Sequence, residues 1–176
     1  MTYHGRAKEL FESGMASFSQ GDWEQSIAAF TRAVDEDPAY EMAYLSRGAA
    51  LTRAGRAGEA VADFDKVIEI NPSNRRAYNL RGVARTATGD HERAVEDFTR
   101  AIDLDPEYGA AYLGRANAHG ALGHHDAAQA DMQMSVQIGH KNLQTYANEN
   151  NIWQSDHLRV EPRALLRKFT GSPVSR

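Results

Sequence analysis

The stretch IEINPSNRRAYNLRG at residues 68–82 is written again as IDLDPEYGAAYLGRA at 102–116 and, in an earlier form, as VDEDPAYEMAYLSRG at 34–48. Pro38, Pro72 and Pro106 therefore stand 34 residues apart. A fixed period of this length marks an array of small supersecondary units, each unable to bury its own apolar face alone. Aligned on the prolines, the chain shows further columns. Gly14, Gly48 and Gly82 share one with Ala116, and Gly21, Gly55, Gly89 and Gly123 share another. Ser26, Ala60, Ala94 and Ala128 are all small; Phe30, Phe64, Phe98 and Met132 are all large and apolar; Tyr44, Tyr78 and Tyr112 align with Leu10.

Each column has a physical task. Tyr44, Gly48 and Leu51 fall on one stripe of a helix, at spacings of four and three. Ala60, Phe64, Val67 and Ile68 fall on the stripe of a second helix. Gly55, between them, suits a left-handed helix terminus. The small residues at 48 and 60 let two antiparallel helices approach, Phe64 plugs the junction, and Pro72 stops the second helix. Each copy is a helix–turn–helix hairpin, and stacking buries what the hairpin cannot.

The run Tyr78, Gly82, Gly89, Ala94, Phe98, Ala101, Pro106 resembles the tetratricopeptide repeat. Placed on that pattern, the repeats are 7–40, 41–74, 75–108 and 109–142. The resemblance implies an all-α fold, a right-handed α-α superhelix (solenoid) of four hairpins with a C-terminal capping helix. One departure from the pattern is informative. Arg47, Arg81 and Arg115 stand before the small residue, and Asp63, Asp97 and Asp131 stand sixteen positions later, whereas the first repeat has Ser13 and Ala29 instead. Joint presence and joint absence predict three ion pairs, Arg47–Asp63, Arg81–Asp97 and Arg115–Asp131, each within its own repeat. The fourth repeat is degenerate, with Met132 for the aromatic and His140 for the proline. A capping helix is expected at about 141–153, completing a single array over 1–156. Residues 157–176 form a basic tail with an amphipathic helix expected at 162–169, where Leu165, Leu166 and Phe169 make the apolar side.

Composition excludes several classes of function. The 176-residue chain has a net charge of −4, which gives bulk electrostatics no reason to attract nucleic acid. It has no cysteine, so disulfides, thiolate metal sites and cysteine nucleophiles are absent. No apolar run suffices to span a bilayer, and the N-terminus lacks a secretory apolar core, so a cytoplasmic protein is expected. The tail carries +4 against −8 for the rest, so it could lie on the body or meet an acidic partner. His119, His124, His125 and Asp126 are the one cluster with metal-ligating chemistry, but adjacent histidines point apart on a helix. They read as exposed turn residues. No metal, cofactor or enzymatic activity is expected.

The resemblance also implies where binding occurs: the first helix of each hairpin lines a concave groove. Mapped onto this chain, its contact positions include Lys8, Phe11 and Met15 in the first repeat and Met42, Leu45, Ala49 and Arg53 in the second. Arg76, Asn79 and Val83 follow in the third, and Leu113 and Asn117 in the fourth. Phe18 divides between groove exposure and packing. This groove is apolar at its N-terminal end and lightly basic in its middle. It suits an apolar segment of a partner protein, with Asn79 and Asn117 bonding the segment's backbone and Arg53 or Arg76 meeting an acidic group. The subclass that grips chaperone C-terminal carboxylates needs polar residues where Phe11, Met15, Ser46 and Leu80 stand, so that use is disfavoured. The alternative is self-association, with the basic tail or an end-face docking onto another copy.

Overall fold

Gly21, Gly55, Gly89 and Gly123 all adopt φ between +77° and +84°, the left-handed region open to glycine at little steric cost. Each reverses the chain between two antiparallel helices. In the computed structural model, which describes residues 3–149, these are α1 (Tyr3–Ser19) and α2 (Trp23–Glu36), α3 (Glu41–Arg53) and α4 (Ala57–Ile70), α5 (Arg75–Ala87) and α6 (His91–Leu104), then α7 (Gly109–Ala121) and α8 (His125–Glu149). Among the described residues there is no strand. Asp22, Asn74 and Asp90 start α2, α5 and α6 by accepting the backbone N–H of Gln25, Ala77 and Arg93, groups that otherwise lack an intrahelical partner. Residues up to Ile138 form one compact unit, and the last described turns of α8, from Gly139, fall outside it.

Packing inside the hairpins follows the columns. Phe30, Phe64 and Phe98 are 0–1% exposed. Their rings lie directly on Gly14, Gly48 and Gly82: a Cβ built on Gly48 would sit 2.7 Å from the Phe64 ring, and one on Gly82 would sit 2.9 Å from Phe98. Ser26, at the small position of the first repeat, is fully buried and donates its hydroxyl to the Gly14 carbonyl at 3.0 Å. Ser135 makes the corresponding closure in the last hairpin, donating to the Gly109 carbonyl at 3.0 Å. Met132 departs from its column. It is 51% exposed, because no hairpin follows within the described residues to cover the face that Phe98 turns toward α7.

The expected boundary near 141 is not an element boundary. Gly139 and His140 continue the helix where the earlier repeats have proline, and α8 runs unbroken to Glu149. Without a residue that removes the N–H donor or fixes φ, nothing in the backbone stops it. Residues 150–153 of the expected capping helix, the basic tail and its helix at 162–169 lie outside the described residues.

Three arginines join the hairpins. Arg47 donates from Nε and Nη2 to the two Asp63 carboxylate oxygens at 2.9 and 2.6 Å, and Arg115 does the same to Asp131 at 2.7 and 2.8 Å. Arg81 holds Asp97 through Nε at 3.1 Å and Nη2 at 2.6 Å, and Arg85 adds a contact to the same carboxylate at 2.8 Å. The carboxylates are 2–6% exposed. Each arginine also reaches back to the preceding repeat, Arg47 to the Thr31 hydroxyl, Arg81 to the Asp65 carboxylate and Arg115 to the Thr99 hydroxyl. Each covers the tyrosine one turn before it, at 5.5–5.6 Å. One guanidinium thus binds three helices. Hydrogen bonding to Asp63 raises the Arg47 pKa, and Asp131 does the same for Arg115. At Arg81, desolvation opposes the charge, but the bonds to Asp97 and Asp65 prevail and its pKa also rises. Burial pushes the Asp97 carboxyl up against the pull of its two arginines.

Two stability measurements check this account. By urea unfolding, Gly82→Ala is expected to cost about 1–3 kcal/mol, because its methyl meets a ring with no room to yield. Gly139→Ala, where a Cβ meets nothing within 4 Å, is expected to gain about 0.5–1 kcal/mol. In the second experiment, Arg81→Leu or Asp97→Leu alone should each cost about 3 kcal/mol by stranding a charge, and the double variant should cost less than the sum. Additive losses would show that the pair is not coupled.

Candidate peptide-binding groove

The first helices of successive hairpins, α1, α3, α5 and α7, touch in order, so residues that each turns away from its partner helix share one face. At the N-terminal end of this face lies a depression of about 220 Å³ lined by Phe11, Met15, Phe18, Met42, Leu45, Ser46, Ala49, Arg76 and Leu80. Its surface is mostly apolar. Phe11 is fixed by ring contacts with Phe30 at 5.5 Å and Tyr40 at 5.2 Å, and Phe18 by an edge-on contact with Trp23 at 5.1 Å. Burial, then Glu12 and Asp37, raises the pKa of the Tyr40 hydroxyl behind Phe11. Met15 and Met42 are 43% and 46% exposed and form the soft rim. A second depression, of about 290 Å³, lies between α5 and α7 and is lined by Val83, Thr86, Ala87, Phe98, Gly114 and Asn117.

The structure brings together six of the twelve residues expected to line a groove in the first depression: Phe11, Met15, Met42, Leu45, Ala49 and Arg76. Val83 and Asn117 meet in the second. Lys8 is exposed and engages Glu12 one turn on at 3.8 Å, outside both. Leu113 is exposed and lines neither. Two expectations of exposure need correction. Leu45 is 4% exposed and Asn79 is 8% exposed, because packing between successive first helices covers the position they share, whereas Leu113, on the last first helix, has no such neighbour. Asn79 Oδ1 has no hydrogen-bond partner among the described residues, and at 8% exposure its amide is not open to bond a ligand backbone.

Arg53 and Arg76 are exposed, and neither has an anionic partner among the described residues. Other arginines are engaged: Arg6 with Glu36, Arg56 with Glu59 and Arg75 with Asp105. Thr86 and Ala87 stand at contact positions that the family resemblance also implies, whereas sequence reasoning passed over Phe98 and Gly114 as groove residues. The sequence carried no signal for Gly114, since the equivalent positions, Glu12, Ser46 and Leu80, share no residue type. Among the histidines, the Nδ1 atoms of His119 and His124 lie 3.4 Å apart. Desolvation lowers the His119 pKa. No group of three or more potential metal ligands occurs among the described residues.

Comparisons with known proteins agree with this architecture. Models of the tetratricopeptide repeat match residues 11–75, 53–108 and 85–141. The crystal structure of MamA is similar with a TM-score of 0.74 at 21% identity, over 78% of this chain and 81% of that one. The first such domain of human RPAP3 gives 0.66 at 29% identity, over 71% and 98%. The first repeat domain of Spaghetti (RPAP3), solved with the HSP90 peptide SRMEEVD, gives 0.66 at 29% identity, over 68% and 94%. No curated protein sequence matches. With the period, the hairpins and the family matches in agreement, the chain belongs to the tetratricopeptide repeat family.

Proposed function

We propose that the chain is a non-enzymatic interaction module that receives an apolar segment of another protein in the face built by α1, α3 and α5. The observation that carries this reading is the depression of about 220 Å³. It exposes two methionines and two half-buried phenylalanines on a surface that a chain without a partner has no reason to leave open, with Arg76, which has no anionic partner among the described residues, on its wall. The RPAP3 domain bound to the peptide SRMEEVD shows that a relative of similar fold takes a peptide. Phe11, Met15, Ser46 and Leu80 give this groove a different chemistry, suited to side chains of the segment rather than to a terminal carboxylate. No helix of the described residues is long and apolar enough to cross a membrane.

The test uses exposed positions, because truncating Leu45 or Asn79 would disturb packing. Met42→Glu with Arg76→Glu should leave the circular dichroism unchanged and reduce recovery of specific partners in a pulldown read by mass spectrometry by about tenfold or more. Equal recovery by wild type and variant counts against the groove.

One observation favours a second reading, self-association. Met132 and Val136 are 51% and 52% exposed on α8, and together with Gln129, Gln133 and Gln137 they line a shallow, uncharged depression of about 310 Å³. An uncharged face meets its own copy without like-charge repulsion. Under this reading sedimentation shows concentration-dependent mass, and Met132→Glu with Val136→Glu abolishes it. A mass of one chain at all concentrations excludes it.

A further inference from the structure

His119 and His124 meet across the turn between α7 and α8. His124 and His125 are adjacent and point apart, but the turn folds His119 and His124 together. The His124 N–H donates to the His119 carbonyl at 2.9 Å, and Gly123, at φ +77°, reverses the chain between the two. Their Nδ1 atoms stand 3.4 Å apart, beyond the usual hydrogen-bond range of about 2.7–3.2 Å. Unless one ring gives a proton to the other, two lone pairs face each other across this gap, an arrangement that a cation resolves. The pair belongs to the fourth hairpin alone. At the same two places the earlier repeats hold Ser17 and Asp22, Leu51 and Arg56, and Arg85 and Asp90. Asp22 and Asp90 direct their carboxylates to the first turns of α2 and α6, whereas the His124 ring, in their place, turns to His119.

We infer that His119 and His124 bind one zinc ion through their Nδ1 atoms, with water at its remaining positions, and that the ion fastens α7 to α8. The geometry selects the ion. Zinc–imidazole bonds of about 2.0–2.1 Å at the tetrahedral angle of about 109° place two ligand nitrogens about 3.3–3.4 Å apart. A right angle, as in square-planar or octahedral sites, would draw them to about 2.9 Å. The observed 3.4 Å suits the tetrahedral ion without moving either ring. Charge does not oppose it, because Arg115 and Asp131, which both act on His119, pair with each other. His119 is half-buried and His124 exposed, so the ion arrives directly from solvent. The fastening falls on the hairpin that lacks the usual closure. Met132, 51% exposed, replaces the phenylalanine there, and Ala116 replaces the glycine on which the ring would rest. The zinc acts on the fold, apart from whatever the groove receives.

The experiment titrates zinc sulfate alone into the full chain, free of any affinity tag and stripped of metal, by isothermal calorimetry. His119→Gln, His124→Gln and, as a control, His125→Gln are titrated beside it, each with the circular dichroism of the wild type. Wild type and His125→Gln should bind one zinc equally well, and either of the other changes should weaken binding about tenfold or more. Nitrogen NMR spectra of the zinc-loaded wild type should show the metal on Nδ1 and the proton on Nε2 of both rings. Zinc should raise the unfolding temperature of the wild type and of His125→Gln alone, and should slow amide exchange around the turn between α7 and α8. Equal affinity in wild type and His119→Gln overturns the site, as does a loss on His125→Gln as large as that on His124→Gln. Metal found on Nε2, or zinc bound with no slowing of exchange at the turn, overturns the fastening.

Discussion

The first three hairpins are each closed by an aromatic ring resting on a glycine that has no side chain to hold it off. The close approach of Phe30, Phe64 and Phe98 to Gly14, Gly48 and Gly82 sets the distance between the two helices of those repeats. That distance in turn fixes which residues face the neighbouring repeat. Because the ring is also the largest fully buried side chain of its hairpin, little freedom remains for the helices to slide. A repeat array needs this precision more than a globular domain does. Each unit contacts only its neighbours, so an error of register in one hairpin has no distant contact to correct it.

The arginines at 47, 81 and 115 act at the next level. An apolar seam is non-directional and tolerates small rotations of one hairpin on the next, whereas a guanidinium has a fixed fork of donors. By occupying both oxygens of an aspartate in its own repeat and an oxygen of the repeat before, it specifies an orientation. Its net contribution to stability is modest, since burying two charges costs much of what their attraction returns. Its contribution to geometry is larger. Asp65 in the place of Thr31 and Thr99 and the added Arg85 concentrate charge at the middle junction, where both pKa directions show burial and pairing in opposition.

What was legible in the sequence follows from the range over which each feature acts. The period, the left-handed glycines and the arginine–aspartate spacing are properties of a single repeat or its seam, so a sixteen-residue offset is enough to express them. The exposure of Leu45 and Asn79 was not legible in that way, because it depends on what the adjacent first helix lays over them, and the family positions are silent on local cover. The length of α8 was misjudged for a related reason. A helix stops where something stops it, and Gly139 and His140 offer neither a lost donor nor a fixed φ. Gly114 was not legible either, because its position has no shared residue type and its meaning depends on the Phe98 ring packed against it.

The same distinction explains how a rigid array acquires a specific surface. Glycine under the ring, alanine at the small column and the turn glycines are held by packing within the hairpin, and changing them costs stability. The position occupied by Glu12, Ser46, Leu80 and Gly114 lies at the line where two first helices meet and holds a carboxylate, a hydroxyl, a branched chain and, against the Phe98 ring, no side chain. Its variation alters the relief of the groove while leaving the stack in register. The surface open to a partner therefore varies along the line where first helices meet, while the turn glycines and the small columns that hold each hairpin stay fixed.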